Sequence, residues 1–150
     1  MRRDILRPYL AGEHAQWLDE VTAMLSAAQQ PDAGAWARWS ALRYLQTTFP
    51  HRLAEERRLV DSVAARLSDD QRATLWALGE LLDSLRCQLD HLIGLCHRAD
   101  DFSTITRKIV TALQHWCRAV EADLGPLHWS AVPAELREGL GRAIAEPAAV

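Results

Sequence analysis

Several kinds of residue and segment are scarce in this 150-residue sequence, and each scarcity excludes a class of protein. The three cysteines, Cys87, Cys96 and Cys117, have no Cys-x-x-Cys spacing, so neither a disulfide framework nor a zinc knuckle is indicated. No apolar run is long enough to span a bilayer, and the first residues lack the features of a signal peptide. We therefore expect a reduced, cytoplasmic protein without a membrane segment.

The charge balance excludes a second class of protein. The formal net charge of −3 is too mild for a nucleic-acid-binding surface, and Lys108 is the one lysine beside sixteen arginines. Hydrophobic residues make up 49% of the chain and charged residues 25%, which is ordinary globular composition. We expect residues 1–150 to form a single domain with a hydrophobic core.

The abundant residues favour helix over strand. Alanine and leucine dominate, and only two Phe and two Tyr occur beside six Trp.

Residues that indicate loops between helices are few. Residues 29–34 separate a first helix, about 4–28, from a second, and Ser68 with Gln71 fits a capping box at the start of a third. Residues 98–101 separate the third helix from a fourth, which ends at Gly125-Pro126, and Pro133 begins a short fifth helix over about 133–145.

Apolar residues recur at spacings of three and four, which predicts the inner face of each helix. The longest such seam, in the third helix, contains Leu75, Leu78, Leu82, Leu85, Leu89, Leu92 and Cys96. The seam of the fourth contains Phe102, Ile105, Ile109, Leu113, Trp116 and Val120. The stripe of the second helix continues through Pro50, which predicts a kinked helix rather than a break. Together these patterns predict an all-α fold, an antiparallel up-down-up-down four-helix bundle with a short C-terminal fifth helix.

A few polar residues within the helices resemble a known motif. The segment 44–59 places His51 and Glu55 in a His-x-x-x-Glu pattern after Phe-Pro, and it resembles the second helix of hemerythrin-like (HHE cation-binding) proteins. Glu13-His14 stands where that family has its first ligand, and the segment 121–127 resembles the end of its fourth helix. The resemblance extends over roughly residues 4–145.

The resemblance implies non-haem iron that binds oxygen, nitric oxide or related small molecules and is held inside the bundle by histidine and carboxylate side chains. The candidate metal ligands are His14, His51, Glu55, Glu56 and Glu121. Their expected orientation differs. Glu56 is the one polar residue on the inner stripe of the second helix, four residues after Arg52, with which it can pair. His51 and Glu55 point away from that stripe unless the kink at Pro50 rotates them inward.

The third and fourth helices lack the ligands that the resemblance requires. The expected histidine of the third helix falls near Leu81 or Leu85, and Trp116 and Val120 stand at ligand positions of the fourth. His115 is expected to project outward. We therefore expect a reduced or lost di-iron site that holds at most one weakly bound metal.

Two functions remain open from the sequence. One is a hemerythrin-like metal-binding or small-molecule-sensing protein, and the other is a metal-free helical scaffold or protein-interaction module. No catalytic pattern stands out, so we expect no enzyme; the partner is unknown, with a homodimer as one option.

Trp36, Trp39 and Trp129 either plug the ends of the bundle or line a ligand pocket or dimer face. We expect Cys87 and His91 to form a solvated pair, and Cys96 and Cys117 to be inert packing.

Overall fold

The computed structural model describes residues 6–96 and 101–127, and this part of the chain is helical apart from short turns. The helices are α1 Arg7–Gln29, α2 Ala35–Gln46, α3 Thr48–Ala64, α4 Asp69–Cys96 and α5 Phe102–Leu124. No strand occurs in the described ranges, which confirms the predicted all-α class. None of these helices has the length and apolarity needed to cross a membrane. The predicted fifth helix of the bundle, about 133–145, lies outside the described residues.

The predicted second helix is interrupted by one residue, Thr47, so it becomes α2 and α3 instead of one kinked helix. The Thr47 amide still donates to the carbonyls of Arg43 and Tyr44, and its hydroxyl donates to the Arg43 carbonyl at 2.7 Å. Pro50 then falls in the first turn of α3, where an N–H has no partner within the helix. The missing donor of the proline is therefore tolerated just after the break.

The predicted apolar seams form the core. All seven seam residues of α4 are buried, and so are those of α5 except for Ile105, which is half-buried. Thr106 is buried in its place, and its hydroxyl accepts a hydrogen bond of 2.7 Å from the Gln29 side chain of α1. Asp101 caps α5, because its carboxylate accepts from the Thr104 amide at 3.1 Å.

Hydrogen bonds join one end of α1 to the residues that follow α5 and the other end to α5 itself. At the start of α1, the amides of Leu6 and Arg7 donate to the carbonyls of Leu127 and Gly125, each at 3.0 Å. At its other end lies the bond from Gln29 to the first turns of α5. Helix α4 packs against α3 and α5, and α1 packs against α2 and α5. This packing brings the middle of α1 close to α3 and α5.

Candidate functional site

His14 of α1 is a deeply buried ionisable side chain, with 2% of its surface exposed. Its Nε2 atom lies 2.7 Å from Oε1 of Glu56 on α3, and Glu56 is itself 6% exposed. On the other side of the ring, Nδ1 lies 3.2 Å from Oε2 of Glu121 on α5. Three of the five predicted site residues therefore meet, one from each of three helices.

Glu56 is held by further contacts. Its Oε1 atom accepts a second hydrogen bond, of 3.3 Å, from Nε1 of Trp116. Its Oε2 atom lies 3.9 Å from Nε of Arg52, which confirms the predicted i,i+4 pair. Arg52 also approaches Glu13 at 3.6 Å and lies 4.8 Å above the ring of Trp17. Trp116 is thus a hydrogen-bond donor to this carboxylate.

Two buried polar atoms of the cluster have no hydrogen-bond partner within the described residues, Nδ1 of His14 and Oε2 of Glu56. Each has a charged neighbour, Glu121 or Arg52, close enough for electrostatic attraction but not in hydrogen-bond geometry. A cleft of about 90 Å³ between α1 and α3 is lined by both residues. That volume corresponds to about three water molecules. The cluster is therefore buried on the side of the core and borders a small cleft between α1 and α3.

The electrostatics of the cluster favour a protonated His14. Burial by itself lowers the pKa of His14, but the interaction with the neighbouring Cys117 thiol, together with the hydrogen bond to Glu56 and its charge, outweighs burial and raises the pKa to about 11. Burial raises the pKa of the Cys117 thiol, although the interaction with His14 partly opposes this. At neutral pH the imidazolium therefore faces the Glu56 carboxylate beside a neutral thiol.

The contact between Cys117 and His14 was not predicted from the sequence. The expected burial of Cys117 is confirmed, since it is 1% exposed, but it lies against the imidazole rather than among apolar side chains alone. The spacing in the sequence could have indicated that Cys117 lies near the site, because Cys117 and the predicted ligand Glu121 are four residues apart and lie on one face of α5. The hydrogen bond of 3.2 Å from the Trp17 indole to the Tyr44 hydroxyl, next to the cluster, was also not foreseen.

The other two predicted ligands, His51 and Glu55, are placed on the surface. They form an i,i+4 pair of 3.1 Å with side chains that are 71% and 52% exposed. Glu55 lines the outer part of the cleft, but the inward rotation of both residues at Pro50 does not occur. The break at Thr47 precedes them, and within α3 they keep their phase relative to the buried Leu53 and Glu56. Cys87, His91 and His115 are exposed, as expected.

The residues present do not fit a di-iron centre. Such a centre needs histidine and carboxylate ligands from all four helices of a bundle, whereas this cluster supplies one imidazole and two carboxylates. Leu85 and Val120, at expected ligand positions, are buried apolar side chains. Within residues 6–96 and 101–127, no group of three or more His, Cys, Asp or Glu side chains is arranged to hold a metal ion.

Tryptophans form a second unusual feature, on the surface. Trp36, Trp39 and Trp76 are 75%, 50% and 72% exposed. Trp36 and Trp39 stack with their ring centroids 5.0 Å apart, and the guanidinium of Arg43 lies 5.4 Å from the ring of Trp39. The interpretation that these residues plug the end of the bundle is wrong for Trp36 and Trp39, and Trp129 lies outside the described residues.

The comparisons with known proteins yield no match. No protein-family model matches this chain. No curated protein and no solved structure matches it at a significant level.

Proposed function

We propose that this chain is a hemerythrin-like, antiparallel four-helix bundle that acts as a metal-free interaction module, with a histidine–carboxylate pair in place of a metal centre. The antiparallel arrangement is supported by the hydrogen bonds that join opposite ends of α1 and α5. The short connections that precede α4 and α5 also support it. The main support for the metal-free function is the buried pair of His14 and Glu56.

This pair opposes metal binding on energetic grounds. A histidine binds a metal through a neutral ring nitrogen, but both nitrogens of a protonated imidazole are donors. With a pKa of about 11, removing the proton of His14 at neutral pH costs on the order of 5 kcal/mol. The metal must also displace the 2.7 Å bond to Glu56. The pair thus stabilises the bundle centre and competes with any ion.

The exposed tryptophans support a role in protein interaction. Tryptophan and arginine are the residues most enriched at the energetic centres of protein interfaces, and Trp36, Trp39 and Arg43 form one stripe along α2. Residues 33–54 contain no Asp or Glu, so this stripe is basic in a chain of net charge −3. The complementary partner is a protein surface with apolar and acidic side chains.

Two measurements test this function. Protein purified without chelator should contain no stoichiometric iron or zinc, and its melting temperature should not change on addition of EDTA. Two irons per chain, or a lower melting temperature in EDTA, would contradict the proposal. For the interface, the double variant Trp36→Ser/Trp39→Ser should no longer bind the protein partners that the wild type binds. The control variant Trp76→Ser, which changes a similarly exposed tryptophan on α4, should still bind them.

A second candidate is a single metal ion, with oxygen or nitric oxide sensing dependent on it. The observation in its favour is that His14 Nδ1 and Glu56 Oε2 have no hydrogen-bond partner, with Glu121 Oε2 only 3.2 Å from the imidazole. Binding would release the His14 proton and would strengthen steeply with pH. If non-haem iron is found, its content should fall to zero in His14→Ala/Glu56→Ala; unchanged content would reject these ligands.

A further inference from the structure

A groove of about 310 Å³ lies between α4 and α5 and shares no lining residue with the His14 cleft. Its polar lining comes from Gln88 on α4 and from Thr104, Arg107, Lys108, Thr111 and His115 on α5. No Asp or Glu lines it. The volume is at the lower end of the range for small-molecule sites, so the groove suits a compact ligand.

The cations of this groove differ from four of the other arginines in the described chain. Arg107 and Lys108 form no ion pair with any described residue and are exposed. By contrast, a carboxylate lies within 4.0 Å of each of Arg52, Arg57, Arg72 and Arg86. From residue 102 to 120, α5 contains no acidic residue at all. Two positive charges therefore face the groove without compensation by a lining carboxylate.

Arg107 and Lys108 interact electrostatically with one acidic side chain at the start of α5, Asp101. Hydrogen bonds with Thr104 lower the pKa of Asp101, and the charges of Arg107 and Lys108 add to that effect. Its two carboxylate oxygens accept from the amide and the hydroxyl of Thr104 at the helix cap, and Asp101 does not line the groove. It therefore reduces the local positive charge without filling the site.

The chemical class of the ligand follows from the lining side chains whose hydrogen-bond donors are not used within the protein. The hydroxyl of Thr111 donates to the Arg107 carbonyl, and that of Thr104 is engaged by Asp101. Arg107 and Lys108 are left at one end of the groove and His115 toward the other, about 12 Å along the helix. Arginine and lysine together match the charge and the multiple acceptor oxygens of phosphate.

We propose that this groove binds a small phosphate-bearing ligand with room for two phosphate groups, which Arg107 and Lys108 contact. Gln88 and His115 then contact the more distant polar part of the ligand. This inference is independent of the metal-free function, because it depends on other residues and on another pair of helices. A free phosphate compound and a lipid headgroup share this chemistry, and the two sources can be distinguished experimentally.

The single lysine permits a direct test. Reductive methylation with ¹³C-formaldehyde keeps the positive charge of Lys108 and gives one side-chain NMR signal besides that of the N-terminus. Titration with pyrophosphate should shift the Lys108 signal to saturation with a Kd of about 1 mM or tighter, and inorganic phosphate should bind more weakly. A linear shift identical to that produced by sodium chloride at equal ionic strength would overturn the proposal.

Matched variants separate the groove from net charge. In calorimetric titrations, Arg107→Gln/Lys108→Gln should weaken pyrophosphate binding at least about tenfold, the effect of losing about 1.4 kcal/mol. Arg58→Gln/Arg118→Gln removes the same charge from exposed positions outside the groove and should bind as the wild type does. Equal weakening in both variants would overturn the proposal. If pyrophosphate binds to saturation, co-sedimentation with phosphatidylcholine vesicles containing phosphatidic acid identifies the source: sedimentation that is lost only in the groove variant would assign the phosphate to a lipid headgroup, and no sedimentation of the wild type would assign it to a free phosphate compound.

Discussion

Glu56→Gln is the most informative single substitution in this protein. Glutamine keeps one oxygen that can accept from His14 Nε2 and Trp116 Nε1, but the negative charge beside the imidazolium is removed. Its NH₂ group takes the place of Oε2, 3.9 Å from Nε of Arg52, so a donor faces a donor. We expect the variant to retain its helices and to have a lower free energy of unfolding.

The magnitude follows from the burial of both partners. Opposite unit charges about 4 Å apart attract by about 4 kcal/mol at an effective dielectric constant of about 20. The variant no longer buries the Glu56 carboxylate, which offsets part of that loss, while the imidazolium left behind adds to it. Breaking a buried pair typically costs about 3–5 kcal/mol, so we expect a loss of about 3 kcal/mol. The matched control, Glu55→Gln, breaks only an exposed pair with His51 and should cost less than about 1 kcal/mol.

The same pair makes a pH dependence. The pKa of His14 is about 11 in the folded protein and 6.5 in a model peptide, so between these values the folded state holds a proton that the unfolded state releases. The contribution of His14 is therefore complete below about pH 6.5 and declines by about 1.4 kcal/mol per pH unit above it, until the folded pKa is passed. From about pH 7 to about pH 8.5 the wild type should lose about 2 kcal/mol from this group. We limit the prediction to this pH range because burial raises the pKa of Cys96 and Cys117, so that at higher pH these thiols also change the free energy of unfolding.

Urea unfolding followed by far-UV circular dichroism measures both effects. The wild type and Glu55→Gln should show the same decline with pH, and Glu56→Gln should show a flatter one because His14 has lost its main charged partner. If Glu56→Gln and Glu55→Gln are equally stable, or if the wild type is flat across this range, the pair is not a protonated ion pair and the argument against metal binding fails.

Two further substitution pairs test the packing by the same unfolding assay. Gly12→Ala should stabilise the protein by about 0.5–1 kcal/mol, because an added Cβ in the middle of α1 meets no atom within 4 Å. Gly79→Ala should gain less or destabilise, since its Cβ would come within 2.8 Å of the Arg57 guanidinium; equal gains would show that this contact is unimportant. Leu82→Ala should cost about 2–5 kcal/mol because Leu82 is fully buried. Leu81→Ala, at a 47% exposed neighbour, should cost less than about 1 kcal/mol, and similar losses at both sites would contradict the assigned face of α4.

Much of the fold could be predicted because helical periodicity is a local property of the chain. The seam of α4 is buried at every predicted residue, from Leu75 to Cys96, because residues three and four apart lie on one helix face. The same reasoning placed Glu56 inside and His115 outside. The prediction was less exact at Pro50, where the chain leaves helical geometry at Thr47, three residues earlier, so that the proline enters a first turn.

The contacts within the candidate site could not be predicted without the tertiary structure. The sequence by itself placed Glu56 on the inner face of its helix, and it identified the pair of Arg52 and Glu56, whose members are four residues apart on one helix. Only the packing of α1, α3 and α5 decided that His14 lies between two carboxylates and against Cys117, because the axial offset and rotation of neighbouring helices depend on how all their side chains fit together. A buried histidine with such neighbours is a proton-holding partner, whereas the same residue among other neighbours is a metal ligand.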